Sequence, residues 1–135
     1  MRILGAQSVN TAAMSRSVAA GRVVEIPVAQ TLADGLAGQI DDEALDIGLN
    51  GLDEIVTLTE DEIARAIAWL AETHEVKAEG AGAVGVGAVW LGKLRKLTTP
   101  TAVVVSGGNI DEARLAEILR PQTDAETVTA KSSRR

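Results

Sequence analysis

A serine in a glycine-rich turn is the first residue of this sequence that could take part in chemistry. Ser106 follows Thr101–Val105, a segment rich in β-branched residues that predicts a buried strand, and precedes Gly107 and Gly108. Open α/β sheets bind ligands at the carboxyl ends of their strands, so this position indicates a ligand-binding hydroxyl. The same residues also fit an ordinary turn, in which glycines allow positive φ and Asn109 caps the next helix. Both interpretations stay open at this point.

Residues 80–85 (GAGAVG) match the G-x-G-x-x-G pattern of dinucleotide-binding sites letter for letter. That pattern requires a hydrophobic strand before it and an acidic residue about twenty positions after it. Here the preceding segment, His74–Glu79, is mostly polar, and the positions near residue 105 are valines. The context favours small residues that let a helix approach its neighbours closely, with a dinucleotide site as the lesser alternative.

Two other groups could bind a metal ion. His74 is the only histidine and lies at the end of a predicted helix, where its cation would suit the helix dipole. Asp41–Glu43 with Asp46 could offer oxygen ligands to a hard cation, although a solvated loop is the simpler interpretation. Because a second histidine is lacking, neither a metal site at His74 nor a Ser–His pair is predicted.

Composition excludes several classes of function. Lys and Arg number 13 against 19 Asp and Glu, for a net charge of −6, so nucleic acid is not an expected partner. The absence of cysteine excludes disulfides and thiolate metal sites, and with no signal-like segment a cytoplasmic protein is expected. The weakly polar run Ala78–Leu94 contains Glu79, Lys93 and several glycines, so it predicts a buried helix rather than a membrane span.

The order of elements predicts an α/β fold with parallel strands, since strands and helices alternate. One domain is expected over residues 1–120, followed by a polar, disordered tail over 121–135. The first strand has no preceding segment, so we expect the chain to begin inside a larger domain. The predicted strands lie at 2–6 (buried), 54–58 and 101–105, with an extended segment at 23–27. The predicted helices lie at 10–20 (ending at Gly21), 31–40 (short), 60–73, 81–92 and from Asn109 to 119. The acidic region at 41–51 is predicted to form turns, with Gly48, Asn50 and Gly51 as turn residues.

The helix at 60–73 has the clearest signals. Thr59 and Glu62 form a capping-box pattern at its start. Ile63, Ile67 and Leu70 recur at i, i+4 and i+7, which predicts one buried stripe.

Five segments in register resemble the family of pyridoxal-phosphate (PLP) dependent threonine and serine dehydratases, a group that includes serine racemase. The resemblance runs from about residue 2 to residue 119. It implies a fragment of a fold-type II PLP enzyme, with a three-layer α/β/α parallel sheet. The segments are 13–21 (AMSRSVAAG), 31–35 (TLADG), 53–63 (DEIVTLTEDEI), 79–83 (EGAGA) and 106–109 (SGGN).

The resemblance implies which residues line the cofactor. Ser106 matches the serine that hydrogen-bonds the pyridine nitrogen, a neutral partner that leaves the ring a weaker electron sink than an aspartate would. Gly35 matches the backbone passing close to the ring, and Glu79 matches the acidic residue on its other side. Gly107 and Asn109 shape the serine turn.

The sequence also departs from the family pattern. Family members that bind a divalent cation here use a glutamate and an aspartate, whereas this chain has Gln7 and Ala13 at those positions. A cation site is therefore not expected. The resemblance places the Schiff-base lysine and the phosphate-binding loop upstream of residue 1, and the four lysines, Lys77, Lys93, Lys96 and Lys131, lie outside any matching motif. No catalytic residue is expected in this chain.

The resemblance therefore implies a piece of a lyase that eliminates water from a hydroxy amino acid, giving a keto acid and ammonia. Its expected partners are an amino-acid substrate, an N-terminal half encoded upstream, and a further copy of itself in a homo-oligomer, with a dimer implied. A non-catalytic interaction module built on the same fold is the alternative, and such a chain alone is expected to be inactive.

Overall fold

The computed structural model describes residues 1–97 and 100–120, which form a small parallel sheet surrounded by helices. This arrangement confirms the predicted α/β class. Two short 3-10 turns, Val9–Thr11 and Asp34–Leu36, lie between the regular elements. The elements are β1 (Leu4–Ser8), α1 (Ala13–Ala20), α2 (Asp42–Gly51), β2 (Glu54–Leu58), α3 (Glu60–His74), α4 (Gly80–Trp90) and α5 (Glu112–Ile118).

The two strands separate two layers of helices. β1 pairs with β2 in parallel, in a register from Leu4 opposite Glu54 to Ser8 opposite Leu58. Ala6 of β1 packs on the core formed by α3 and α4, whereas the side chain of its neighbour Gln7 accepts a hydrogen bond from the backbone of α1. Successive side chains of a strand point to opposite faces, so α1 lies across the sheet from α4. The predicted three-layer order is confirmed.

The main core lies between α3 and α4. The predicted stripe on α3 is confirmed, because Ile63, Ile67 and Leu70 are all buried. α4 contributes only small residues and one valine to its buried side, and a Cβ added to Gly87 would lie 3.0 Å from the Cβ of Ala66 on α3. The helices therefore approach closely, as the glycine-rich sequence predicts.

The two tryptophans stack across this helix pair. The rings of Trp69 on α3 and Trp90 on α4 lie 5.2 Å apart at an angle of 16°. His74 meets Trp69 edge-on at 4.5 Å, and the guanidinium of Arg65 lies 5.6 Å from the Trp90 ring centre. His74 thus has a packing role at the end of α3.

A reciprocal pair of hydrogen bonds starts α3. The Thr59 hydroxyl accepts from the Glu62 amide at 3.2 Å, and the Glu62 carboxylate accepts from the Thr59 amide at 2.8 Å. This confirms the predicted capping box.

The acidic region at 41–51, predicted to be turns, is instead helix α2, so that prediction was wrong. Asp41 caps the helix by accepting a hydrogen bond from the Ala44 amide at 2.8 Å. Gly48 is buried, and a Cβ there would lie 2.5 Å from the sulfur of Met14 on α1. The glycine that suggested a turn serves the contact between two helices, which outweighs its poor helix propensity.

The predicted buried strand at 101–105 was also wrong. These residues have no regular structure and are exposed, and Val104 keeps 86% of its surface accessible. A β-branched segment forms a strand only beside another strand, and within residues 1–97 and 100–120 none lies next to it.

Some boundaries also differ from the prediction. The first strand begins at Leu4 and is half-buried, and the helix predicted at 31–40 is reduced to the turn Asp34–Leu36. Asp111, not Asn109, caps α5, since its carboxylate accepts from the amides of Ala113 and Arg114. The helix end predicted at Gly21 is confirmed, with φ at +65°. The tail at 121–135 lies outside the described residues, so its predicted disorder stays a prediction.

Glu54 ties the start of β2 to two other parts of the chain. Its carboxylate pairs with Arg2 at 3.2 Å and with Arg95 at 3.6 Å, and it accepts a hydrogen bond from the Arg95 amide at 3.1 Å. That amide and the two guanidiniums lower the pKa of Glu54 below its ordinary value of 4.5, against the opposing effect of desolvation.

We predict that Thr59→Ala lowers the free energy of unfolding by about 1 kcal/mol, because the capping bond to Glu62 is lost. Denaturant titration would measure the change. Thr73→Ala is the matched control, since Thr73 is exposed in the last turn of the same helix, and it should leave stability unchanged or slightly raised. Equal losses in both variants would contradict a specific role for the cap.

We predict that wild-type stability falls more steeply than that of Glu54→Gln as the pH drops below about 4.5. The folded-state pKa of Glu54 lies below its unfolded value, so its contribution is present above that value and is lost as the carboxylate protonates. Thermal unfolding at pH 7, 5, 4 and 3 would measure both proteins. Parallel pH profiles would contradict the role given to Glu54.

Candidate functional site

The first turn of α4 is where the segments singled out in the sequence come together. Gly80 is buried, and a Cβ there would lie 2.0 Å from the carbonyl oxygen of Leu32. Gly82 is also buried, and a Cβ there would lie 1.9 Å from the carbonyl oxygen of Ser106. Real Cβ atoms do not approach oxygen so closely, so both positions require glycine. The G-x-G part of the motif therefore brings two loops against one helix end.

These contacts argue against the dinucleotide interpretation. That interpretation needs the glycine backbone to face the pyrophosphate of a ligand. In this chain the open sides of Gly80 and Gly82 face the chain's own carbonyl groups. The glycines therefore have the packing role that the sequence context favours.

Glu79 and Gly107 join α4 to the serine turn. The Glu79 amide donates to the Gly107 carbonyl at 2.9 Å, just before the helix begins. Gly107 has φ at +74°, in the left-handed region that favours glycine, and a Cβ there would collide with the Glu79 carboxylate. Gly107 thus has the positive φ that the sequence predicts, and the Glu79 side chain lies beside it.

Ser106 itself presents a free hydroxyl. Its side chain is exposed, and no residue within 1–97 or 100–120 forms a hydrogen bond with it. Its backbone is held by the close approach to Gly82. A fixed backbone with an uncommitted hydroxyl can donate to or accept from a ligand.

Gly35 and Asn109 lie on two sides of this helix end. A Cβ on Gly35 would lie 3.1 Å from the Cβ of Ala81, so the loop containing Gly35 rests on α4. Asn109 lines a cleft of about 170 Å³ together with Glu79 and Asp34. The five predicted site residues therefore surround one helix end, although only Glu79 and Asn109 line that cleft and Gly35, Ser106 and Gly107 do not.

Arg114 is the residue that sequence analysis missed. It projects from α5 into the same cleft, beside Asp34, Glu79 and Asp111, and its guanidinium donates to the Thr31 carbonyl at 3.5 Å. One cation among three carboxylates balances part of their charge. No local pattern predicts this position, because only the folding of α5 against the loop before Asp34 creates it.

Other predicted positions have local roles. Gln7 accepts from the Ser15 amide at 2.9 Å at the start of α1, and Ala13 is fully buried, so neither is arranged as a cation ligand. Lys77 pairs with Glu112 at 2.5 Å and Lys93 with Glu62 at 2.6 Å. Among the helices of the described residues, none is both long and apolar enough to cross a membrane.

Comparison with known proteins gives consistent matches. Residues 1–109 match the family described as pyridoxal-phosphate dependent enzyme. The L-threonine ammonia-lyase of Thermotoga maritima is 41% identical over 120 residues, which make up 88% of this chain and 30% of that protein. The catabolic L-threonine dehydratase of Escherichia coli K12 is 34% identical over 121 residues, or 87% of this chain and 37% of that protein.

A solved structure agrees with these sequences. Maize serine racemase superimposes with a TM-score of 0.75 at 26% identity, covering 86% of this chain and 37% of that one. The chain thus spans about a third of the length of the relatives it matches.

We predict that Gly82→Ala destabilises the protein by about 1–3 kcal/mol, because the added methyl group must displace the Ser106 loop. In an unhindered helix the same change would be stabilising. Thermal and denaturant unfolding would measure the effect. Gly51→Ala is the control, since Gly51 ends α2 and a Cβ there meets nothing closer than 4.0 Å. A stable Gly82→Ala protein would mean that the loop is not held against α4.

Proposed function

Because the chain belongs to the family of pyridoxal-phosphate dependent enzymes, we propose that it forms one wall of the cofactor site in a lyase acting on threonine or serine. The observation that carries the proposal is the convergence at α4. There Ser106 packs on Gly82, Gly107 bonds to Glu79, and Gly35 rests on Ala81. The threonine ammonia-lyase and dehydratase relatives suggest the reaction, elimination of water to give a keto acid and ammonia.

The site residues fit the pyridine side of the cofactor. Pyridine nitrogen accepts one hydrogen bond, and the exposed hydroxyl of Ser106 has its donor free among the described residues. The backbone of the serine turn is held by Gly82 and by the bond from the Glu79 amide. Ser106 would therefore meet the ring edge with little loss of conformational freedom.

A hydroxyl at this position limits the electron demand of the ring. When bound, pyridoxal phosphate supplies the electron sink for chemistry at the α-carbon of an amino acid. Ser106 is neutral and donates a hydrogen bond without transferring a full charge, whereas a carboxylate there would hold the ring nitrogen protonated. The weaker electron sink that a neutral hydroxyl leaves suits elimination of the β-hydroxyl group of the substrate.

Glu79 and Gly35 would border the same space. Gly35 is exposed and has no side chain, so a planar ring can approach its backbone. The carboxylate of Glu79 stands beside the serine turn, where it can orient a donor group of the substrate or cofactor. Asn109 would support the turn from within the cleft that it shares with Glu79.

The remaining parts of the active site are assigned to other segments of a longer protein. We propose that those segments supply the lysine and the phosphate-binding loop, since the relatives are about three times as long as the matched stretch. Within this chain, residues 1–120 would form the folded part of the large domain. The homodimer implied by the resemblance remains a prediction.

The test is a fusion in which the 135-residue chain replaces the matching stretch of the Thermotoga maritima L-threonine ammonia-lyase. The fused protein is expected to bind pyridoxal phosphate, seen as visible absorbance, and to form keto acid from threonine or serine. The chain alone should do neither. A folded fusion that binds no cofactor and forms no keto acid would favour the alternative, a non-catalytic interaction module.

We predict that Ser106→Ala in this fusion weakens cofactor binding by about 2- to 10-fold, the usual net worth of one hydrogen bond. Titration of the apoprotein with pyridoxal phosphate would measure it. Ser15→Ala is the matched control, because Ser15 lies on α1, on the opposite side of the sheet from α4. The Ser15→Ala fusion should bind pyridoxal phosphate as tightly as the unaltered fusion does. If the fusion and both variants bind pyridoxal phosphate with equal affinity, Ser106 does not contribute to cofactor binding.

A further inference from the structure

The loop that carries Gly35 is held in place by side chains of other elements. We call residues Thr31–Gly35 the Gly35 loop, and before the short turn Asp34–Leu36 it belongs to no helix or strand. Ala33 is fully buried, so part of the loop backbone is removed from water. Buried backbone groups need hydrogen-bond partners, and a loop lacks the regular partners of a helix or sheet. The position of Gly35 therefore depends on what binds the backbone just before it.

Leu32 is the residue of the Gly35 loop whose backbone is held on both sides. Its amide donates a hydrogen bond to the Glu60 carboxylate at 2.6 Å. Its carbonyl oxygen faces Gly80 of α4, where an added Cβ would lie 2.0 Å away. The carboxylate fixes the loop from the α3 side, and the glycine lets the loop rest on α4. Gly35 follows only three positions after Leu32, so its place is set by the same contacts.

The second carboxylate oxygen of Glu60 is also occupied. It accepts a hydrogen bond from the hydroxyl of Ser8, a fully buried residue at the end of β1. The Ser8 oxygen in turn accepts from the Asn10 amide at 3.0 Å, which leaves its single proton for Glu60. Hydrogen bonds to an ionised carboxylate are stronger than those between neutral groups. Glu60 thus joins β1, α3 and the Gly35 loop through two strong contacts.

The start of α3 does not need Glu60 as a cap. Glu60 is the first residue of the helix, and Thr59 with Glu62 already forms the capping box. A carboxylate at this helix end gains from the dipole, but Asp61 at the next position has the same advantage. The Asp61 side chain is exposed and forms no hydrogen bond within residues 1–97 and 100–120. The contacts to Leu32 and Ser8 are what distinguish Glu60 from its neighbour.

Other polar contacts to this stretch of backbone are weaker. Asn10 donates to the Gln30 carbonyl at 2.9 Å, and Arg114 donates to the Thr31 carbonyl at 3.5 Å, both from exposed side chains. Exposed donors exchange readily with water, and 3.5 Å lies beyond the usual range for a hydrogen bond. The bond from the Leu32 amide is shorter than either and ends on a charged acceptor. Glu60 therefore contributes most to holding the loop.

We propose that Glu60 is a positioning residue of the lyase site. By holding the Leu32 backbone against α4, it sets where Gly35 lies and so the width of the space that receives the cofactor ring. Glu60 acts through Gly35 and is assigned no contact with cofactor or substrate. The inference rests on the proposed function, because that function makes Gly35 a wall of the cofactor site.

Two substitutions and one control separate positioning from general stability. Glu60→Ala removes both hydrogen bonds. Glu60→Gln keeps the side-chain length and an oxygen for the Leu32 amide, and its NH2 group can donate to the Ser8 oxygen, so it should rescue most of the effect. Asp61→Ala is the matched control, since it removes a carboxylate from the same helical turn without removing a hydrogen bond to the loop.

Hydrogen exchange in the 135-residue chain tests whether Glu60 holds the loop. Glu60→Ala is expected to speed exchange of the Leu32 amide by about 10-fold or more, the worth of one hydrogen bond to a charged group. Glu60→Gln and Asp61→Ala should stay near the unaltered chain, and the buried amide of Ile67 should stay protected throughout. If Glu60→Ala does not fold, Glu60→Asp takes its place, because it keeps the charge but withdraws the oxygens from Leu32. Unchanged exchange at Leu32 would overturn the inference.

In the Thermotoga maritima fusion, the bound cofactor reports the consequence for the site. Visible circular dichroism per mole of bound pyridoxal phosphate depends on how the ring is oriented, and Glu60→Ala should change it. The same variant should lower kcat/KM for threonine by about 10- to 100-fold, because the misplaced loop no longer positions the ring. Glu60→Gln should restore both quantities. A purely structural role would lower the melting temperature and leave both unchanged for the folded enzyme.

The outcomes separate this inference from the proposed function. A folded fusion that binds no cofactor would overturn the proposed function, whereas fast exchange at Leu32 in Glu60→Ala would still support the hold of Glu60 on the loop. An active fusion in which Glu60→Ala leaves the dichroism and kcat/KM unchanged would overturn the positioning role and leave the lyase proposal standing.

Discussion

The close approach of the α4 backbone to two loops is the constraint on which the site depends. Gly80 and Gly82 are the contact points, and neither could carry even a methyl group without striking a carbonyl oxygen. One contact fixes the loop before Gly35 and the other fixes the serine turn. Because both glycines lie in a single helical turn, two segments more than seventy residues apart are held in register by one rigid element.

The rest of the molecule is organised to hold that helix in place. α3 begins at a defined residue because of the Thr59–Glu62 capping box, and its buried stripe sets the position of α4. The serine turn itself is attached more lightly, with one backbone bond from Glu79 to Gly107 and the contact at Gly82. The fold therefore combines a well-packed helix pair with a site built from exposed loops, the usual division between scaffold and function.

Local signals predicted the parts of the fold that are determined locally. β2, the capping box and the stripe at Ile63 and Ile67 follow from period and cap residues, and the structure has them as predicted. Gly48 suggested a turn, but it lies inside α2, where the absence of a side chain lets α2 contact Met14 of α1. The valine segment misled it because strand formation depends on a neighbour that the local sequence does not specify. Among the site residues, motif similarity selected positions that do converge on α4, whereas Arg114 enters the cleft only through tertiary packing.

The stacked tryptophans give the protein an internal optical marker. Trp69 and Trp90 are the only aromatic residues of the Phe, Tyr and Trp classes in the sequence, so essentially all near-ultraviolet absorption above the peptide bands comes from this one pair. Two indoles 5.2 Å apart couple their transitions, and the coupling vanishes when α3 and α4 separate. Near-ultraviolet circular dichroism of this chain is thus a direct measure of a single helix–helix contact, uncontaminated by signals from other parts of the fold.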